Sequence, residues 1–274
     1  MRILFALFSI LLCSCNQAFY QPTHEEYFRV DPKQIPYQDF MVRNDKGNLL
    51  HARLFKSRTD STKGLIVHFH GNAENLTSHF LNFFWTGAEG FDYLIFDYSG
   101  YGNSEGEPSR EQVSSDGTTI LQFALDSIPS AHKKLLVIGQ SLGGAIAPVS
   151  VARWPRKDAV SLLVLDATFD RYPTAARRAM SMHWLTWIFQ PLGWLLVDGS
   201  ENPRDYYADL KGVPTLVTHC LDDNIVAGAF SAEIYSQLLG PKELQTFPIC
   251  GHTGYFYFPR TQGRRKLMNS TYLK

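Results

Sequence analysis

Residues 135–147 read Leu135-Leu136-Val137-Ile138-Gly139-Gln140-Ser141-Leu142-Gly143-Gly144-Ala145-Ile146-Ala147, and this stretch decides the fold. Leu135 to Ile138 is an uninterrupted apolar run of the kind that forms a strand covered on both faces. Leu142 to about Ala152 is rich in small apolar residues and is expected to be helical. Between them lies Gly139-Gln140-Ser141-Leu142-Gly143, a Gly-x-Ser-x-Gly turn. A turn this tight between strand and helix holds its serine in a strained conformation at the strand tip, and the glycines keep side chains out of the crossing. The amino end of the helix then favours negative charge at the serine oxygen. Ser141 is therefore the candidate nucleophile.

The same strand type recurs to either side. Gly64 to Phe69, Tyr93 to Phe96, Leu162 to Leu165 and Thr215 to Thr218 are short apolar runs, and Leu244 to Phe247 is expected to be the last strand. Helical stretches separate them. Ser109, with Gln112 three residues on, is expected to form a capping box. Val113, Ile120, Leu121, Ala124, Leu125 and Ile128 then share one helical face. Upstream, the flanks of Asn44-Asp45-Lys46-Gly47-Asn48 predict a hairpin over Phe40 to Phe55. Strands alternating with helices give an α/β fold with a mostly parallel central sheet flanked by helices. Residues 170–205 break the rhythm. They carry Trp184, Trp187, Phe189 and Trp194 around Pro191, and are expected to form a small helical lid over the carboxyl ends of the strands.

Composition narrows the function. The chain has 274 residues, 45% hydrophobic and 19% charged, enough for a sizeable core. Lys+Arg and Asp+Glu stand at 26 each, and no basic stripe stands out, so nucleic acid is not an expected partner. No His/Cys/Asp cluster has metal-ligand spacing, and no metal or cofactor is expected. Arg2 is followed by an apolar run from Ile3 to Leu12, too short for an ordinary membrane span and suited to a signal peptide over residues 1–15. Leu12-Cys13-Ser14-Cys15 resembles the bacterial lipoprotein box, with Cys15 as the lipidated residue and Cys13 as a departure from the pattern. That reading implies a membrane anchor in the cell envelope. A plain cleaved signal and an uncleaved anchor are the alternatives. Residues 16–36, broken by Pro22, Pro32 and Pro36, are expected to form a tether ahead of a catalytic domain over 37–274. Cys220 and Cys250 remain. Two buried thiols is the favoured reading, with pairing open to them in an oxidising compartment.

The chain resembles the α/β-hydrolase superfamily. His70-Gly71-Asn72-Ala73-Glu74-Asn75 and Asp97-Tyr98-Ser99-Gly100-Tyr101-Gly102-Asn103-Ser104, with Pro108-Ser109 beyond, resemble serine hydrolases with an HGNA loop, a group that includes protein depalmitoylases. The resemblance spans roughly residues 40–255 and implies an oxyanion hole built from the N–H groups of Leu142 and Asn72. It implies that His70 braces the loop, since the chain order of this fold is serine, acid, histidine. His219-Cys220-Leu221-Asp222-Asp223-Asn224-Ile225-Val226 resembles the family's HGxxDxxV loop and aligns the acid with Asp223, although Cys220 replaces a glycine. Asp222 and Asp166 are the alternatives. His252, in Cys250-Gly251-His252-Thr253-Gly254 after the last strand, is the expected base, ahead of His183 and His219. The expected activity is hydrolysis of a carboxylic ester or thioester on a small-molecule or acyl-bearing substrate. A serine aminopeptidase and an inactive binding lipoprotein are the competing readings.

Overall fold

A computed structural model describes residues 19–181, 197 and 199–273. Its centre is an eight-stranded sheet in the order β1-β2-β4-β3-β5-β6-β7-β8. The strands are β1 (Tyr37–Arg43), β2 (Leu49–Phe55), β3 (Gly64–Phe69), β4 (Phe91–Phe96), β5 (Leu135–Gln140), β6 (Val160–Asp166), β7 (Thr215–Cys220) and β8 (Lys242–Phe247). β2 pairs antiparallel with both β1 and β4, and every pairing from β4 to β8 is parallel.

Both faces of the central strands are covered, which is why they read as unbroken apolar runs. Leu65, Val67, Phe69, Leu135, Val137, Leu163 and Leu165 project into one buried cluster. The residues between them, Ile66, Leu136, Ile138, Leu162 and Val164, project into a second cluster on the opposite face. The strand period of two thus sorts one run into two cores. β1, at one edge, has only half-buried and exposed positions. Its hairpin is closed by Asn44, whose Oδ1 accepts the N–H groups of Lys46 (3.1 Å) and Asn48 (2.9 Å), while Gly47 supplies a φ of 87°.

The helices are α1 (Leu76–His79), α2 (Arg110–Ser127), α3 (Leu142–Arg153), α4 (Tyr172–Ser181), α5 (Ala229–Gln237) and α6 (Gly263–Met268). Five residues of the expected apolar face are buried in α2, and the sixth, Ile128, is buried as its C-cap. Ser109 caps it by accepting the Gln112 N–H. The other half of the expected capping box is absent, because the Gln112 side chain turns away to donate to Asp116 Oδ1 (2.9 Å) and Asp45 Oδ1 (3.1 Å). A buried carboxylate needs donors, and Asp116 recruits this amide along with Asn44 and the Ser99 N–H.

Two sequence expectations meet a different structure. Cys220 and Cys250 are not free thiols: they form a disulfide, with Cα atoms 5.3 Å apart. β7 and β8 are adjacent and parallel, so their carboxyl ends bring the two cysteines within bridging distance. The stretch expected to be a tether is, from Phe19 on, packed against the domain; Tyr20 and Val30 are buried. Of the expected lid, α4 and residues from 199 onward are described, whereas His183, Trp184, Trp187, Phe189, Pro191 and Trp194 lie outside the described residues, as do Cys13, Cys15 and the apolar run before them.

Candidate active site

Ser141 sits between β5 and α3 with φ 54° and ψ −118°, a backbone conformation that L-residues with side chains rarely adopt. The crossing around it is tight enough to require glycine. A Cβ at Gly143 would fall 2.0 Å from the Phe69 carbonyl oxygen, and one at Gly139 would fall 2.5 Å from that of Gly143. The turn is pinned from below, where the Ser141 N–H donates to the Asp166 carbonyl (2.9 Å). Nearby, the Gln140 side chain spans from Asp166 Oδ2 (2.9 Å) to Asn82 (2.6 Å).

The structure brings His252 and Asp223 to this serine. His252 Nε2 lies 3.0 Å from Ser141 Oγ, and its Nδ1 lies 2.7 Å from Asp223 Oδ2. Asp223 Oδ1 accepts the N–H groups of Ile225 (2.8 Å) and Val226 (2.9 Å). Burial pushes the Asp223 carboxyl up, but hydrogen bonds from His219 and His252, the charge of His252 and the Val226 N–H outweigh it and hold the group well below the usual carboxylate range. With Nδ1–H directed at a carboxylate, the lone pair of His252 Nε2 faces the serine hydroxyl.

The alternative acids have other partners. Asp222 Oδ1 accepts the N–H groups of Cys250 and Gly251, each at 2.8 Å, and so ties the acid loop to the histidine loop. The Gly251 and Cys250 N–H groups lower its pKa. Asp166 is fully buried beneath the serine turn, where it accepts from Gln140 and from Thr218 Oγ1 (2.7 Å), and burial raises its pKa. Neither is hydrogen-bonded to His252 among the described residues.

Asn72 and Leu142 border the same cavity as Ser141, a space of about 440 Å³ whose remaining wall includes Phe169, Ala176, Met180 and Val226. Leu142 opens α3, so its N–H has no partner within the helix. The Asn72 loop is held by its neighbours: Tyr98 donates to the His70 carbonyl (3.0 Å), and His70 Nε2 lies 3.4 Å from the buried Asp97. His70 is fully buried and stacks on His79. His68 packs under the sheet, edge-on to Phe83 and 2.7 Å from the Tyr93 hydroxyl.

Sequence reasoning missed two features. His219, set aside as a base, contacts Asp223 Oδ2 from the other side at 3.2 Å and the Val226 carbonyl at 3.0 Å. Its i,i+4 spacing to Asp223 in a strand-to-turn segment was the available signal. The disulfide joins the acid loop to the histidine loop: Cys220 precedes Asp223 by three residues, and Cys250 precedes His252 by two. Among the described residues no group of three or more His, Cys, Asp or Glu side chains is placed to hold a metal ion.

The sheet order, the strained serine turn at the tip of β5 and the loops gathered at the carboxyl ends of the strands define an α/β-hydrolase. The chain belongs to the serine aminopeptidase S33 family, whose model matches residues 60–211. It is 27% identical over 264 residues to the uncharacterized protein YfhR of Escherichia coli strain K12, covering 93% of this chain and 88% of that one. It is 26% identical over 220 residues to the lysophosphatidylserine lipase ABHD12 of Danio rerio, covering 74% of this chain and 56% of that protein. Among solved structures it resembles the Pyrococcus furiosus esterase Pf2001, with a TM-score of 0.72 and 18% identity over 90% of this chain and 95% of that one. That last likeness is one of fold.

Proposed function

We propose that the protein is a serine hydrolase that cleaves a carboxylic ester or thioester, with Ser141 as nucleophile, His252 as general base and Asp223 as the acid that orients it. The observation that carries this reading is the relay from Asp223 Oδ2 through the two nitrogens of His252 to Ser141 Oγ, at 2.7 and 3.0 Å, opening on an apolar cavity. In such a relay His252 Nε2 takes the Ser141 proton as Oγ attacks the acyl carbon. The carbonyl electrons move onto oxygen, and the N–H groups of Leu142 and Asn72 meet that charge. The tetrahedral adduct collapses as His252 returns the proton to the leaving alcohol or thiol. Water then repeats the sequence on the acyl-enzyme and frees the acid. Asp223, held ionised, keeps the Nδ1–H tautomer and stabilises the imidazolium that forms at each half-reaction. No step calls for a metal or a cofactor.

The cavity favours an acyl chain over a peptide amino terminus. None of its described lining residues carries a charge, whereas an aminopeptidase site needs a carboxylate to hold the substrate's ammonium group. The lysophosphatidylserine lipase among the relatives supports an ester of a membrane-borne acyl chain. So does the N-terminus, where a lipid on Cys15 would lie four positions before Phe19, a residue of the cavity wall. Four extended residues span at most about 14 Å, which would keep the cavity at a bilayer surface in the cell envelope.

The test is a hydrolysis profile on esters and thioesters of increasing acyl length and on aminoacyl amides. The expected result is ester and thioester turnover that exceeds amide turnover and rises with chain length. Preferential cleavage of the aminoacyl amides overturns the proposal. Cys15→Ser is expected to release the protein from membranes, and unchanged membrane association removes the lipid anchor from the account.

A further inference from the structure

The segment before the first strand grips the oxyanion loop at both ends. The Gln21 N–H donates to Asn72 Oδ1 (2.9 Å) and to the Tyr101 hydroxyl (3.1 Å), and Tyr101 in turn donates to the same Asn72 oxygen (3.0 Å). Three residues on, the Asn75 amide donates to the carbonyls of Thr23 (3.0 Å) and Glu25 (2.8 Å). Between these clamped asparagines, Ala73 and Glu74 both stand in the left-handed region, with φ 57° and 54°. Neither is glycine, so that conformation is disfavoured and must be held by its surroundings. The segment itself is fixed further along. The Gly102 N–H donates to the Thr23 carbonyl (2.9 Å), and the Tyr27 N–H donates to Thr77 Oγ1 (3.0 Å).

At its start the same segment enters the cavity. Phe19 packs edge-on to Tyr172 and against Phe169, with the Arg110 guanidinium 5.7 Å from its ring centre. Phe19, Gln21, Asn72 and Ser141 all line one space. Buried Tyr20 anchors the stretch between them, its hydroxyl 3.5 Å from that of Tyr172.

We propose that residues 19–25 act as a positioning strap: Gln21, through Tyr101 and the Asn72 carboxamide, aims the Asn72 N–H at the oxyanion, and Phe19 limits and selects the acyl chain. This rests on the ester hydrolase reading above. An oxyanion donor stabilises charge that exists only in the transition state, so misaiming it lowers kcat and leaves KM nearly unchanged. A wall of the acyl cavity acts in the opposite sense, on KM and on chain-length preference.

Full-length wild type, Tyr101→Phe, Gln21→Pro and Phe19→Ala are compared on acetyl and octanoyl esters, with thermal unfolding as a check on the fold and a fluorophosphonate probe reporting the nucleophile. Tyr101→Phe removes the hydroxyl that donates to Asn72 and accepts from Gln21, and Gln21→Pro removes the backbone donor together with the Gln21 side chain. Each is expected to lower kcat on both esters by about tenfold, less than the roughly 10²–10³-fold cost of losing an oxyanion donor outright because the donor is misaimed and not removed, with KM held in Tyr101→Phe. Phe19→Ala is expected to lower kcat/KM for the octanoyl ester about tenfold relative to the acetyl ester, the cost of exposing one aromatic wall. If Tyr101→Phe, which keeps the ring, melts with wild type and retains its kcat, the positioning role is wrong. If Phe19→Ala affects both esters equally, the chain-length role is wrong. A wild-type protein that neither labels nor hydrolyses either ester refutes the underlying hydrolase reading instead, so the two failures are told apart.

Discussion

Asp222 and Asp223 are neighbours on one loop with different partners, and exchanging each for asparagine separates them. In Asp223, Oδ1 accepts the Ile225 and Val226 N–H groups, and Oδ2 faces both His252 and His219. In the Asp223→Asn variant the new carboxamide must keep its carbonyl on the two backbone donors, so its NH₂ group takes the place of Oδ2. A donor then faces His252 Nδ1, and the imidazole answers by moving its proton to Nε2, where it points at Ser141 and cannot accept the hydroxyl proton. The expected loss in kcat is about 10⁴-fold by analogy with the chymotrypsin-type triad, or about 5.5 kcal/mol of transition-state stabilisation at 1.36 kcal/mol per decade. The Asp222→Asn variant keeps a carbonyl oxygen for the Cys250 and Gly251 N–H groups. It is expected to cost less than about tenfold, the neutral acceptor being only somewhat weaker than the charged one. The assay is steady-state hydrolysis of a chromogenic short-chain ester, run with both variants and wild type at matched folded concentration. The reasoning is refuted if Asp222→Asn falls as far as Asp223→Asn, or if Asp223→Asn retains more than about one hundredth of wild-type kcat.

Gly143→Ala drives a methyl group into the Phe69 and His70 carbonyl oxygens, at 2.0 and 2.5 Å, and is expected to destabilise the fold by at least about 3 kcal/mol in denaturant titration. Gly251→Ala meets no atom within 4 Å and bears only its φ of 66°, so about 1–2 kcal/mol is expected there. Reducing the Cys220–Cys250 bridge, which spans 30 positions, is expected to cost about 3–4 kcal/mol of stability by chain entropy. It is also expected to lower kcat, because the bridge sits between the acid and the histidine loops; a reduced protein with wild-type Tm and kcat contradicts this. Asp223 has a native pKa below its unfolded value, so its contribution to stability is complete above about pH 4 and is lost as the pH falls through the lower native pKa. Asp223→Asn is therefore expected to flatten the acid limb of the plot of Tm against pH, and an acid limb as steep as wild type's counts against a depressed carboxyl.

The sheet was legible because its central strands are buried on both faces, which leaves a plain apolar run for β3, β5 and β6. Ser141 was legible because strain and close crossing restrict the residues beside it to glycine, and that restriction is local. The proposed acid was less so. Asp222 and Asp223 differ only in which side of one turn each carboxylate faces, and no periodicity encodes that. The disulfide and the N-terminal strap were read otherwise, as buried thiols and as a tether, because each depends on segments far apart in the chain. Cys220 meets Cys250 only through the pairing of β7 with β8. Gln21 meets Asn72 and Tyr101 across separations of 51 and 80 residues, by a backbone N–H that every non-proline residue carries and no sequence pattern marks. The contact of His219 with Asp223 was not legible for a related reason: the position of His219 near the end of β7 does not say which way its ring faces, and in the fold it meets Asp223 Oδ2 at 3.2 Å.

The most direct test of the central claim is active-site labelling with a fluorophosphonate, read by peptide mass spectrometry on wild type and on Ser141→Ala. The account predicts one phosphonylated site on wild type, in the peptide containing Ser141, and no labelling of a folded Ser141→Ala. Labelling that persists in Ser141→Ala, or a folded wild type that does not react, contradicts it.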